Sequence, residues 1–170
     1  MTDETTHQER LHRNPHLAGF TGMPAEGDGG GEASCGAFGY LRGLRDSSAA
    51  VEFRFRDGNS IWFAYSLLGT WQYNPSEGLL LKFTGDVVTL VLIRGSNLDR
   101  PLKDGTIDLI HAGLQRHRVL WIREMTPEEI RQVSEKGLTI DRIDVAEFES
   151  NDALKDWLRK KAPTFLRETT

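Results

Sequence analysis

Val51-Glu52-Phe53-Arg54-Phe55-Arg56-Asp57-Gly58-Asn59-Ser60-Ile61-Trp62-Phe63-Ala64-Tyr65 decides the fold together with Leu79-Leu80-Leu81-Lys82-Phe83-Thr84-Gly85-Asp86-Val87-Val88-Thr89-Leu90-Val91-Leu92-Ile93. In the first segment Val51, Phe53 and Phe55 alternate with Glu52, Arg54 and Arg56, the period-two pattern of a strand with one apolar and one charged face. Asp57-Gly58 follows at once, and glycine accepts the positive φ that a tight hairpin turn demands. Ile61, Phe63 and Tyr65 then resume the alternation, so the segment reads as a β-hairpin. In the second segment Leu79, Leu81 and Phe83 alternate with Lys82 and Thr84, Gly85-Asp86 turns the chain, and residues 87–93 run almost without a polar side chain. A strand apolar on both faces has to be covered on both. A second sheet, a barrel interior or a packed helix must therefore lie over this hairpin.

Outward from these hairpins, residues 67–73 read as a further strand closed by the turn Asn74-Pro75-Ser76-Glu77-Gly78. Residues 37–45 place Phe38, Leu41 and Leu44 at three-residue intervals and suggest a short helix or turn in spite of Gly36, Gly39 and Gly43. Ile107, Ile110 and Leu114 share one side of a short helix, and residues 119–123 alternate as a strand. Thr126-Pro127-Glu128-Glu129 is a helix start, with a capping hydroxyl, proline at the first helical position and glutamate three residues after the cap. Gly137 is placed to end that helix. Residues 139–148 read as a strand, Ser150-Asn151 as a cap, and Leu154, Trp157 and Leu158 as the apolar side of a last helix stopped by Ala162-Pro163.

At 170 residues the chain holds enough material for one ordinary domain. Residues 1–35 are rich in Gly, Glu, Thr and His and have few apolar side chains to offset ordering entropy, so they are expected to form a disordered N-terminal arm. Residues 36–125 are expected to form a β-rich, small-barrel-like domain, and residues 126–170 a helix-strand-helix element docked on it. The expected fold class is α+β, a small barrel or strongly twisted antiparallel sheet with C-terminal helices packed against it.

The net charge is −4, spread as −4 over residues 1–34, +2 over 36–125 and −2 over 126–170. None of these is the strongly basic balance usual for nucleic-acid binding. The longest apolar run falls far short of the roughly 18 to 20 residues that cross a bilayer, so no membrane contact is expected. Cys35 stands alone, which excludes an intrachain disulfide and fits a reducing cytoplasm.

Few residues group in a way that suggests chemistry. Asp104, Asp108 and His111 stand at i, i+4 and i+7, a spacing that on a continuous helix would line up two carboxylates and an imidazole for a divalent metal. Gly105 argues against that continuity, and no metal or other cofactor is expected. Arg116, His117 and Arg118 form a basic trio suited either to phosphate or to the negative pole of a helix end. Trp62, Trp71, Tyr73 and Trp121 are the aromatics able to form a stacking platform, with Arg54, Arg56, Arg94 and Lys82 near them in the strand pattern. Neither a phosphate-binding glycine loop nor a nucleophile elbow occurs.

The segment Val91-Leu92-Ile93-Arg94-Gly95-Ser96-Asn97-Leu98 resembles the second motif of the Sm-like small β-barrels, in which an apolar strand ends in Ile-Arg-Gly. The resemblance implies a ring-forming barrel whose Arg-Gly pair lines an RNA pocket, and it nominates Arg94, with Asn74 as counterpart of the family's first-motif asparagine. The spacing from Gly69 to Asn74 is shorter than that motif requires, and residues 99–117 form an insertion before the last strand.

Two expectations follow. The first is a non-catalytic interaction module for a protein partner or for a second copy of itself, the latter through the edge of residues 87–93 if that edge is uncovered. The alternative is an Sm-like protein that binds RNA or single-stranded nucleic acid. The residues expected to carry partner or nucleic-acid binding are Arg94, Trp71, Tyr73, Arg116, His117 and Arg118.

Overall fold

The computed structural model describes residues 30–167. In chain order its strands are β1 (Glu32–Ser34), β2 (Phe38–Leu41), β3 (Ala50–Arg54), β4 (Ser60–Ala64), β5 (Leu68–Asn74), β6 (Gly78–Thr84), β7 (Val88–Ser96), β8 (Val119–Arg123) and β9 (Thr139–Phe148). Two α-helices come late, α1 (Pro127–Gln132) and α2 (Asn151–Lys161). Hydrogen bonding sorts the strands into a five-stranded sheet of order β1-β2-β8-β3-β4 and a four-stranded sheet of order β5-β6-β7-β9. Every neighbouring pair is antiparallel except β3 and β8, which run parallel.

Both hairpins form as their alternation dictates. In β3–β4 Val51 pairs with Phe63 and Phe53 with Ile61, and Gly58 takes φ +91° at the turn. In β6–β7 Leu81 pairs with Val91 and Leu79 with Ile93. The odd-numbered Leu79, Leu81, Phe83, Val91 and Ile93 join Phe38, Val51 and Phe53 of the first sheet in the main core. Phe83 stacks on Phe63 with ring centroids 4.5 Å apart and meets Phe53 edge-on, so an aromatic triangle joins the sheets. The even-numbered Leu80, Leu90 and Leu92 lie on the other face and form a second cluster with Leu154 and Leu158 of α2, Ala162 and Phe165. Strand β7 is thus covered by a sheet on one side and a helix on the other, and each leucine so buried contributes about 1.5–3 kcal/mol of transfer free energy.

No closed barrel forms among the described residues. The ladder does not run on from β4 to β5, because a 3-10 turn at Tyr65–Leu67 carries the chain from one sheet to the other. At the opposite corner β8 passes beside β9. There the Met125 amide donates to the Ile140 carbonyl, and the Glu124 carboxylate accepts from the amides of Arg56 and Ile143. The Tyr65 hydroxyl donates to the Val119 carbonyl at 2.7 Å, and burial raises its pKa well above the usual phenol value. Leu98, Ile107, Leu109, Ile110 and Leu114 from the insertion between β7 and β8 also enter the main core.

Several local expectations are corrected. Residues 37–45 form no helix: Phe38 and Tyr40 alternate inward on β2, and only the end of the segment is the alternative turn, where the Asp46 amide donates to the Gly43 carbonyl and Leu44 is 78% exposed. Within the arm expected over residues 1–35, Glu32–Ser34 is a strand, because Gly36 at φ +90° turns the chain so that Ala33 can pair with Tyr40; residues 1–29 lie outside the described range. The helix read over residues 107–114 is a six-residue π-helical segment, Leu109–Leu114, opened by Asp108. Helix α1 has the expected capping box but stops at Gln132, before Gly137. Strand β7 lies between β6 and β9, so the uncovered edge required for self-pairing through residues 87–93 does not exist.

Candidate functional site

The residues nominated from the sequence do not converge. Trp71 and Tyr73 stand opposite Leu81 and Leu79 on the edge strand β5, on the side of the sheet that faces the main core. Trp71 is 37% exposed, while the Tyr73 hydroxyl donates to Asp99 at 3.1 Å, and burial, then Asp99, raises its pKa. Arg94 follows the inward Ile93 and therefore lies on the opposite face. Its guanidinium donates to the Lys161 carbonyl and sits 3.7 Å from Glu77 and 3.9 Å from Asp144. It ties the C-terminal end of α2 to the sheet, where a cation also meets the negative pole of the helix. Arg94 and Trp71 cannot line one pocket across the thickness of the sheet.

The basic trio is split by the backbone. His117 adopts φ +55° and stacks on Tyr65 with centroids 4.4 Å apart. Arg118 is only 2% exposed, and its guanidinium donates to the carbonyls of Leu41, Arg42 and Ala112. Only Arg116 remains outward, beside the exposed His111. The Asp108 carboxylate is taken up by the amides of Ile110, His111 and Ala112, and Asp104 accepts from the amide and hydroxyl of Thr106. Among the described residues no three or more His, Cys, Asp or Glu side chains gather as metal ligands.

What does converge is the outer face of the five-stranded sheet. Register places Gly39, Trp121, Glu52 and Trp62 in one transverse row across β2, β8, β3 and β4. The outward phase of Trp62 is set by its inward neighbours Ile61 and Phe63, which pack against the main core. Gly39 leaves room for the Trp121 indole to lie across β2, since a Cβ there would meet the ring at 2.2 Å. Above the same indole the Arg54 guanidinium carbon stands 4.5 Å from the ring centroid, a cation–π geometry. Arg54 Nε and Nη2 both donate to Glu52 Oε2, at 2.8 and 2.7 Å, and these bonds, with one from Ser60, hold the Glu52 carboxyl below the usual range. Arg54 is thereby fixed at both plane and edge. Beside it Trp62 is 62% exposed, the most exposed aromatic of the described chain. The row borders a shallow depression of about 310 Å³ that also takes in Glu32, Ser48 and Leu120.

The sequence pointed to Trp62, Trp121 and Arg54 as platform candidates but grouped them with Trp71, Tyr73 and Arg94. Alternation gives the face of each residue; it does not say that β8 inserts between β2 and β3, which is what brings Trp121 beside Glu52. Comparisons with protein-family models, curated proteins and solved structures find no match to this chain. Among the described residues no helix is long and apolar enough to cross a membrane.

Proposed function

We propose that the protein is a non-catalytic interaction module whose contact face is the outer surface of the five-stranded sheet around Trp62, Arg54 and Trp121. The observation that carries this reading is the exposed Trp62 beside an Arg54 already immobilised between an indole and a carboxylate. Trp and Arg are the residue types most enriched at the energetic centres of protein interfaces, and a side chain ordered before binding loses less entropy on contact. The partner that fits is a protein presenting apolar side chains to Trp62 and a carbonyl or carboxylate acceptor to Arg54.

The test is affinity capture from the source lysate with the wild type and with Trp62→Ala, Arg54→Ala and Arg116→Ala, followed by binding measurements with the purified partner. A single protein recovered by wild type and Arg116→Ala, and lost by at least about thirtyfold in affinity for Trp62→Ala, supports the reading. A labelled single-stranded oligonucleotide is titrated in parallel. Salt-dependent binding that requires Trp62 would replace the protein partner with nucleic acid. Concentration-dependent mass by light scattering, abolished by Trp62→Ala, would instead identify the partner as a second copy.

A further inference from the structure

Away from that face, a cleft of about 450 Å³ opens beside β2, between the loops that follow β7 and α1, within the roughly 300–1,000 Å³ typical of small-ligand sites. Tyr40 and Met125, both buried members of the main core, form its floor. Leu102, Val133 and Leu138 supply apolar walls from the loops after β7 and α1. Arg100, Lys103 and Lys136 stand on its rim, all exposed and none in an ion pair with a described residue. The single carboxylate on the rim, Asp104, is engaged by Thr106.

Tyr40 gives the second, independent pointer. The residue is only 6% exposed, yet its hydroxyl makes no hydrogen bond to a described residue. No fully buried side-chain nitrogen or oxygen among the described residues lacks a partner, so this hydroxyl is not sealed in the core, and Tyr40 is one of the residues that line the cleft. A phenol whose ring is buried usually finds a hydrogen-bond partner for its hydroxyl, and one that lines a cavity is available to a ligand atom.

We infer that this cleft binds a small amphipathic anion, with the apolar body of the ligand between Leu102, Val133 and Leu138, its polar atoms within reach of the Tyr40 hydroxyl, and its carboxylate or phosphate held by Arg100, Lys103 and Lys136. Three cations against one engaged carboxylate favour a negative head group, and the aliphatic walls favour a hydrocarbon body.

Calorimetry on the full chain at low ionic strength tests this with octanoate, octyl phosphate and octan-1-ol, which share one tail. At least one anion should bind about tenfold or more tightly than the alcohol, and the stronger of the two identifies the head group as carboxylate or phosphate. Lys103→Ala/Lys136→Ala, in exposed loops, should remove that advantage while leaving octan-1-ol unchanged, and Tyr40→Phe, which keeps the ring, should weaken binding several-fold. Cys35 lines the same cleft and is the chain's one thiol, so its alkylation by iodoacetamide should slow when the anion is bound. Equal affinity for alcohol and anions, unaltered binding by the double variant, or no protection of Cys35 would overturn the assignment.

Discussion

Trp121 lies against Gly39 so closely that a Cβ on residue 39 would stand 2.2 Å from the indole Nε1 and 2.4 Å from Cε2. The glycine is needed here for the space beside it. Gly39→Ala must push the indole off β2 and break its stack with Arg54, at a cost of about 1–3 kcal/mol. In a Trp121→Ala background the same change should cost close to nothing. A double-mutant cycle in urea gives the coupling, and additive effects would show that the indole and the glycine are independent.

Arg118 and Arg116 are neighbours in sequence with opposite expectations. Arg118→Ala takes a donor from the carbonyls of Leu41, Arg42 and Ala112 in a buried site, and should destabilise the fold by about 1–3 kcal/mol. Lysine at 118 should recover only part of this, since one ammonium cannot reproduce the planar fork. Arg116→Ala should change stability by less than about 0.5 kcal/mol. Thermal or urea midpoints of the three variants decide the matter.

Glu129 closes the capping box of α1 and pairs with Arg123 at 2.8 Å. The Arg123 hydrogen bonds first, then the Thr126 amide, hold its carboxyl down to about 2 from an ordinary 4.5. A depressed folded-state pKa adds stability above the unfolded value that is lost as pH falls through the folded one. The urea midpoint of the wild type should therefore exceed that of Glu129→Gln by a constant margin above about pH 4.5, and the margin should shrink as pH is lowered toward 2. A margin independent of pH would mean that the ion pair contributes nothing.

On the far side of the second sheet, Leu158→Ala removes a buried member of the outer cluster and should cost about 2–4 kcal/mol. Arg94→Ala should cost far less, yet amide exchange in the last turn of α2 should quicken, because the bond from Arg94 to the Lys161 carbonyl holds that turn. Unchanged exchange in that turn would show that Arg94 does not anchor it.

Much of the local structure could be read from residue order. The β3–β4 and β6–β7 hairpins, β9 over Thr139–Phe148, the Thr126 box and the stop at Ala162-Pro163 all follow from short-range patterns. Residues 37–45 misled because the glycine that looked like a helix breaker was a strand position cleared for Trp121, a partner far along the chain. The two-sided apolarity of β7 announced two covers without naming them. The candidate face was half visible: the alternation around Trp62 gave its outward direction, while the row from Gly39 to Trp62 depends on a parallel pairing that no local pattern encodes. The cleft at Tyr40 was invisible, since its floor comes in part from strand β2 and its walls and rim from loops far apart in the chain.

The placement of β8 between β2 and β3, and of β9 beside β7, bears on how the chain is made. As the polypeptide leaves the ribosome, β2 and β3 emerge early but have no ladder to each other, and the first sheet stays in two pieces until Val119–Arg123 arrives. The β6–β7 hairpin can close at once, yet Leu80, Leu90 and Leu92 stay open to water until α2 has been synthesised. The outer leucines thus wait for residues about sixty positions further along the chain than the hairpin that carries them, and an apolar surface of this kind left open during synthesis is prone to association.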